Sequence, residues 1–272
     1  MIKNIFLFCL SVVTVVAYSQ DLNTRIYPEN KGDEIEYYAD NEEWSPVTFV
    51  FDFDLKNMKS TSGAKFTKVI HARSKRTLVT TLSQWKKNEV YGYKFKNTGI
   101  TGDIVTASDK DHLYDLPYQQ GKSYKIYQGY NGSQTHRGEN ALDFSMKIGE
   151  EITAVRGGIV TKVIDHNSKH CLKPECEQYN NYIMIMHEDG TFSNYAHIRK
   201  GGSMVNEGDT ITTGQAIAES GDVGYAAGPH LHFAVLLPTT KGFKTIKTRF
   251  RTGDGTTHEL LKEGIQYPRN YK

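Results

Sequence analysis

The chain has almost no surplus of charge. Its 272 residues carry 33 Lys and Arg against 31 Asp and Glu, a formal net charge of +2. Basic residues occur only as short pairs such as Lys86-Lys87 and Arg199-Lys200. A nucleic-acid-binding surface normally shows as a basic face or run, so no nucleic-acid partner is expected. Long helical patterns and internal repeats are also missing. Cysteine is scarce, three in all. Cys9 sits within an apolar N-terminal run, not directly after a cleavage site, which argues against lipidation. Cys171 and Cys176 stand in CLKPEC without the closer CxxC spacing and extra partners of a thiolate zinc site. In an oxidising compartment a local disulfide is the natural reading, with two free thiols as the alternative.

The only long apolar stretch is at the start. Lys3 precedes an apolar segment at 5–16, and Ala17-Tyr18-Ser19 offers a small-x-small cleavage site. This pattern reads as a secretory signal peptide over 1–19. The segment is short for a membrane span, so no stable span is expected after cleavage, and the mature chain is expected to be secreted or periplasmic. With hydrophobic residues at 38% and charged residues at 24%, a folded core is expected rather than disorder.

What is present is β patterning. Val47, Phe49, Phe51, Phe53 and Leu55 alternate with mostly polar neighbours, and Tyr91, Tyr93 and Phe95 repeat the alternation. Period two means one buried face and one wet face. Segments 65–72 and 76–82 also read as strands, and together these suggest a small β-sandwich of roughly 90 residues. Further strands are expected at 152–156, 158–165, 181–187, 191–197 and 230–237, with a hairpin turn at Glu188-Asp189-Gly190. The fold class is therefore all-β. The domains are expected as an N-terminal β domain over 20–115 and a second domain over 116–272.

Chemistry gathers in the second domain. In SGDVGYAAGPHLHFAV, His230 and His232 are two apart, so on a strand both leave the same face. Paired imidazoles suit an apolar core poorly, because each brings two nitrogens that need partners. They suit a metal site well. His197 ends another expected strand in TFSNYAHI. Upstream, His136 lies in a Gly-rich loop and Asp143 in Ala-Leu-Asp-Phe, where a carboxylate is costly unless paired or metal-bound. His71, His112, His166, His170, His187 and His258 match no motif and are expected to be non-catalytic.

These blocks, His…Asp, then Tyr-x-His, then Gly-Pro-His-Leu-His-Phe, resemble in kind and order the lysostaphin-type (glycyl-glycine endopeptidase or β-lytic) metallopeptidases, over roughly 116–240. The resemblance implies an antiparallel β-sheet domain with a narrow groove, one zinc ion per chain, and hydrolysis of peptide bonds in peptidoglycan by a zinc-activated water. It implies His136, Asp143 and His232 as metal ligands, and His197 and His230 as catalytic histidines beside the metal. Two features depart from the family. Six residues, RGENAL, separate His136 from Asp143, a longer connection than the usual one, and leave Glu139 as the rival carboxylate. Tyr225-Ala226-Ala227 stands where Ser or Thr is frequent. Two other functions fit the same residues: an inactive wall-binding regulator of other hydrolases, and a secreted zinc peptidase acting on protein.

Overall fold

The structure, a computed structural model, describes residues 22–106, 108, 109 and 111–272. The expected signal peptide lies outside the described residues. Among the described residues no helix is long and apolar enough to cross a membrane. The chain divides into two compact units, Met1–Thr101 and Gly102–Lys272. Both are built of strands, and one 3-10 turn, Pro174–Tyr179, is the helical element among the described residues.

The first unit is a sandwich of two antiparallel sheets. One orders the strands Thr24–Lys31, Glu34–Asn41, Thr77–Gln84 and Met58–Ser60; the other orders Lys65–Ile70, Val47–Lys56 and Gly92–Thr101. The alternation in VTFVFDFDLK decides the facing. Val47, Phe49, Phe51 and Phe53 are buried, whereas Val50, Asp52 and Asp54 are exposed. Tyr37 from the first sheet meets Phe53 and Phe95 of the second edge-on, at 5.4 and 5.0 Å, the favoured aromatic geometry. On the wet face Asp52 stands opposite Lys65 and bonds it at 2.9 Å. The strand Thr24–Lys31 carries Pro28 and lies at a sheet edge, where a missing N–H costs nothing in the ladder.

The second unit is organised by a nine-stranded sheet. Its main path runs Thr210–Ile211, Gly158–Ile164, Tyr182–Met186, Phe192–Ala196, Leu231–Thr239, Ala141–Phe144, Ser123–Gln128, Gln266–Pro268, with Gly242–Ile246 also pairing to Leu231–Thr239. All its pairings are antiparallel. One face packs Leu142, Phe144, Ile183, Ile185, Tyr195, Leu231 and Phe233 into a single core. The expected turn at 188–190 closes a hairpin, with Gly190 at φ 77° and the His187 N–H on the Thr191 carbonyl. Cys171 and Cys176 are bonded to each other. Their loop is tied down by a short parallel pairing of His170–Cys171 with Gly224–Tyr225.

His187 is buried under this core. Its Nδ1 bonds the Gly157 carbonyl at 2.8 Å, while Nε2 has no partner. Burial, against the pull of the Gly157 bond, holds its pKa down to about 4. An unfolded histidine titrates near 6.5, so between about pH 6.5 and 4 the unfolded chain binds more protons than the folded one. Stability is therefore expected to fall as pH drops through that window, by roughly 3 kcal/mol at its lower end. Urea unfolding at pH 7 and pH 4.5 checks this. The His187→Gln variant should lose clearly less stability than the wild type over the same interval, and equal losses would show that His187 does not contribute.

Candidate metal centre

The face of the central strands turned away from the hydrophobic core carries the chemistry. Asp143 lies directly opposite His232 on the neighbouring strand, and His232 lies opposite Ala196 on the next. Leu142 and Phe144, and likewise Leu231 and Phe233, turn the other way into the core. Period two thus sends Asp143, His232 and His230 to one face, as the HxH spacing requires. His136 arrives from the loop beyond Ser123–Gln128. That loop is closed by Asn131 N–H on the Glu139 carbonyl and Glu139 N–H on the His136 carbonyl, both at 2.8 Å.

His136, Asp143 and His232 form one cluster. Asp143 Oδ1 lies 3.0 Å from His232 Nδ1 and 3.3 Å from His136 Nε2, and the two ring nitrogens are 3.2 Å apart. Three ligands on a tetrahedral zinc with bonds of about 2.0–2.1 Å would stand about 3.3 Å from one another. The observed triangle fits that ion, and its two nitrogens and one oxygen are a donor set zinc accepts. His136 donates Nδ1–H to the Gly129 carbonyl at 3.0 Å, which leaves the Nε2 lone pair facing Asp143 and His232. Glu139 stands outside the cluster: it is exposed and accepts a bond from Thr245 Oγ1 at 2.8 Å.

Two further histidines adjoin the cluster. The His230 ring is 4.6 Å from that of His197, and His230 Nε2 lies 3.7 Å from Asp143 Oδ1. Each donates Nδ1–H to a backbone carbonyl at 2.8 Å, His197 to Val223 and His230 to Gly228. Both therefore keep an unprotonated Nε2. Burial and the neighbouring imidazoles of His230 and His232 hold His197 down to about 3. Burial also lowers His230, against the attraction of Asp143. Burial raises the Asp143 carboxyl, but the neighbouring rings of His136 and His232 outweigh it and hold the group far below its usual range.

Three contributors were not legible in the motifs. The Tyr127 ring stands nearly perpendicular to that of His230, with centroids 5.5 Å apart. Gln128 donates to Asp143 Oδ2 at 2.8 Å. Asn180, which ends the cross-linked insert, accepts the His197 N–H through Oδ1 at 3.1 Å. His197 holds φ 62°, a left-handed conformation uncommon outside glycine, and Asn180 and Val223 clamp it there. Gly224, at φ 98°, permits the approach, since a Cβ there would lie 2.9 Å from Asn180 Cα. Asn180→Ala is expected to leave the metal content unchanged and lower kcat roughly two- to tenfold, the worth of one hydrogen bond. Metal analysis beside steady-state kinetics checks this, and an unaltered kcat would show that the clamp does not matter.

A separate cavity of about 550 Å³ shares no residue with the cluster; Asp115, Arg251, Arg269 and Lys272 line it. Both arginines bond the Asp115 carboxylate there, at 2.6 and 3.2 Å.

Comparison with known proteins gives the cluster its context. Residues 137–242 match the profile described as Peptidase family M23. An uncharacterized metalloprotease of Buchnera aphidicola is 31% identical over 193 residues, covering 67% of this chain and 46% of that protein. Peptidoglycan DD-endopeptidase ShyA of Vibrio cholerae is 30% identical over 98 residues, 36% of this chain and 20% of that protein. Lysostaphin of Staphylococcus simulans is 33% identical over 118 residues, 43% of this chain and 21% of that protein. The chain thus spans less than half the length of each of these relatives. The match over 137–242, together with these relatives, shows that the chain carries a domain of peptidase family M23.

Proposed function

We propose that the chain is a secreted zinc metalloendopeptidase that hydrolyses peptide bonds in the stem peptides or cross-bridges of peptidoglycan. The observation that carries this reading is the triangle of His136, Asp143 and His232 with two anchored, neutral histidines beside it. A similarity to a protein named as a peptidoglycan endopeptidase supports the substrate, and the leader read over 1–19 would deliver the chain to it.

His136 Nε2, Asp143 Oδ1 and His232 Nδ1 would hold one zinc ion. Bound there, zinc supplies Lewis acidity toward a scissile carbonyl and toward water. The remaining work falls to the protein. An unprotonated Nε2 of His197 or His230 takes a proton from water as the water oxygen bonds to the carbonyl carbon. The protonated ring then stabilises the oxyanion or returns the proton to the amine as the C–N bond breaks. Fixing Nδ1 on a carbonyl sets the tautomer this requires. Burial lowers both rings, so at neutral pH each presents an unprotonated nitrogen.

The test is substrate choice. The mature chain is incubated with purified sacculi and, separately, with casein and elastin, and new amino termini are counted. Release from sacculi alone supports the reading. Cleavage of proteins but not sacculi would make the chain a general zinc peptidase, and no cleavage of either would favour a regulator.

A further inference from the structure

The motifs leave one buried side chain at the cluster unexplained. Gln128 is 2% exposed. A strict period-two reading of SYKIYQ would place it with Tyr124 and Ile126, in the core. The ladder instead shifts register: Phe144 pairs with Ile126, but Asp143 pairs with Gln128. One extra residue on this strand is a β-bulge, a device that re-aims a side chain. Here it brings Gln128 level with Asp143.

Every hydrogen-bonding position of the Gln128 amide is then used. Nε2 donates to Asp143 Oδ2 and to Thr135 Oγ1, each at 2.8 Å. Oε1 accepts the N–H groups of Gln134 at 3.1 Å and Thr135 at 2.9 Å. These four partners fix the orientation of the amide, because a flipped amide would set its NH₂ group against two backbone donors. The loop also lies close on the Gln128 stem: a Cβ at Gly132 would come within 2.5 Å of Gln128 Cγ.

We infer that Gln128 is the positioning residue of the metal centre, a clamp that joins the two ligand-bearing segments before any ion arrives. This rests on the metal reading of His136, Asp143 and His232 given above. One end of the amide holds Gln134 and Thr135, which lead directly into His136. The other end occupies Asp143 Oδ2, so Asp143 offers the ion Oδ1 alone. The six-residue connection from His136 to Asp143 makes such a clamp necessary, since a longer loop fixes its two ends less firmly. A partner that orients a metal ligand commonly matters 10- to 100-fold in affinity.

The variant that isolates the tie to Asp143 is Gln128→Glu. It keeps an oxygen for the two backbone N–H groups, removes both donors, and sets a second carboxylate against Asp143. The full mature chain is stripped with chelator and titrated with Zn²⁺ against a competing dye, and with Co²⁺ by visible absorption. Wild type, Gln128→Glu and His232→Ala are compared, with thermal unfolding of each apoprotein as the check on folding. The expected result is Zn²⁺ affinity about 10- to 100-fold below wild type, a changed Co²⁺ spectrum, and an apoprotein that still unfolds cooperatively, at a lower temperature than the wild type because the buried tie is lost. Wild-type affinity in Gln128→Glu, with His232→Ala unable to bind, would overturn the clamp and leave the metal centre standing. A wild type with no affinity would overturn both. If Gln128→Glu does not fold, Thr135→Val decides: it leaves Gln128 in place and removes one Nε2 acceptor. Its affinity should then fall roughly two- to tenfold, and an unchanged value would overturn the clamp.

Discussion

His230→Ala is expected to keep its metal and to lose kcat by about 10²- to 10⁴-fold, the usual worth of a positioned acid or base. The separation of roles is geometric. His230 Nε2 is 3.7 Å from Asp143 Oδ1, outside the triangle whose edges are 3.0 to 3.3 Å. Its ring is held from outside the triangle, by the Gly228 carbonyl on Nδ1 and by the neighbouring rings of Tyr127 and His197. Removing it leaves all three donors of the triangle in place. What disappears is a neutral nitrogen able to receive a proton. Zinc content and kcat measured on one preparation decide the matter. A variant that loses zinc would make His230 a ligand and undo the division of labour. A variant with both zinc and full kcat would leave His197 as the base alone.

Removing a ligand should be more severe. His232→Ala is expected to bind no stoichiometric zinc and to fall to the activity of the chelated wild type. Asp143 loses its 3.0 Å partner and His136 Nε2 its 3.2 Å neighbour, so two donors remain where a catalytic zinc site needs three. Asp143→Ala should behave in the same way. Glu139→Ala serves as the control and should retain zinc, because Glu139 is exposed and bonds Thr245 instead. Zinc lost from Glu139→Ala but kept by Asp143→Ala would reverse the choice of carboxylate. Saturating zinc should also raise the melting temperature of the wild type and of Glu139→Ala, since a ligand that binds only the folded state stabilises it. His232→Ala should gain little.

The readable part of the fold was the part that repeats locally. VTFVFDFDLK announces its buried and wet faces by simple alternation, and the sheet obeys. The HLH pair likewise predicts two side chains on one face, and the structure brings both to Asp143. The strands Thr24–Lys31 and Glu34–Asn41 were not anticipated. Thr24–Lys31 is half-exposed along its length and Glu34–Asn41 buries Tyr37, Tyr38 and Ala39 in succession, so neither shows a clean period of two. Around the site the limit is different. Gln128, Tyr127 and Asn180 act across strands and loops, and their pairing depends on register. The bulge opposite Asp143 moves Gln128 off the face its local alternation indicates. Nothing in SYKIYQ by itself encodes that shift. Asn180 reaches His197 from the loop that carries the Cys171–Cys176 disulfide and pairs with Gly224–Tyr225, a contact far apart in sequence from the motif.

The most direct measurement is zinc per chain and peptide release from purified peptidoglycan on one sample of the mature protein. Both are read as isolated, after chelation, and after zinc is returned. The expected result is close to one zinc per chain, release that stops on chelation, and release that resumes with zinc. Release that persists in a fully stripped protein would contradict a metal centre at His136, Asp143 and His232.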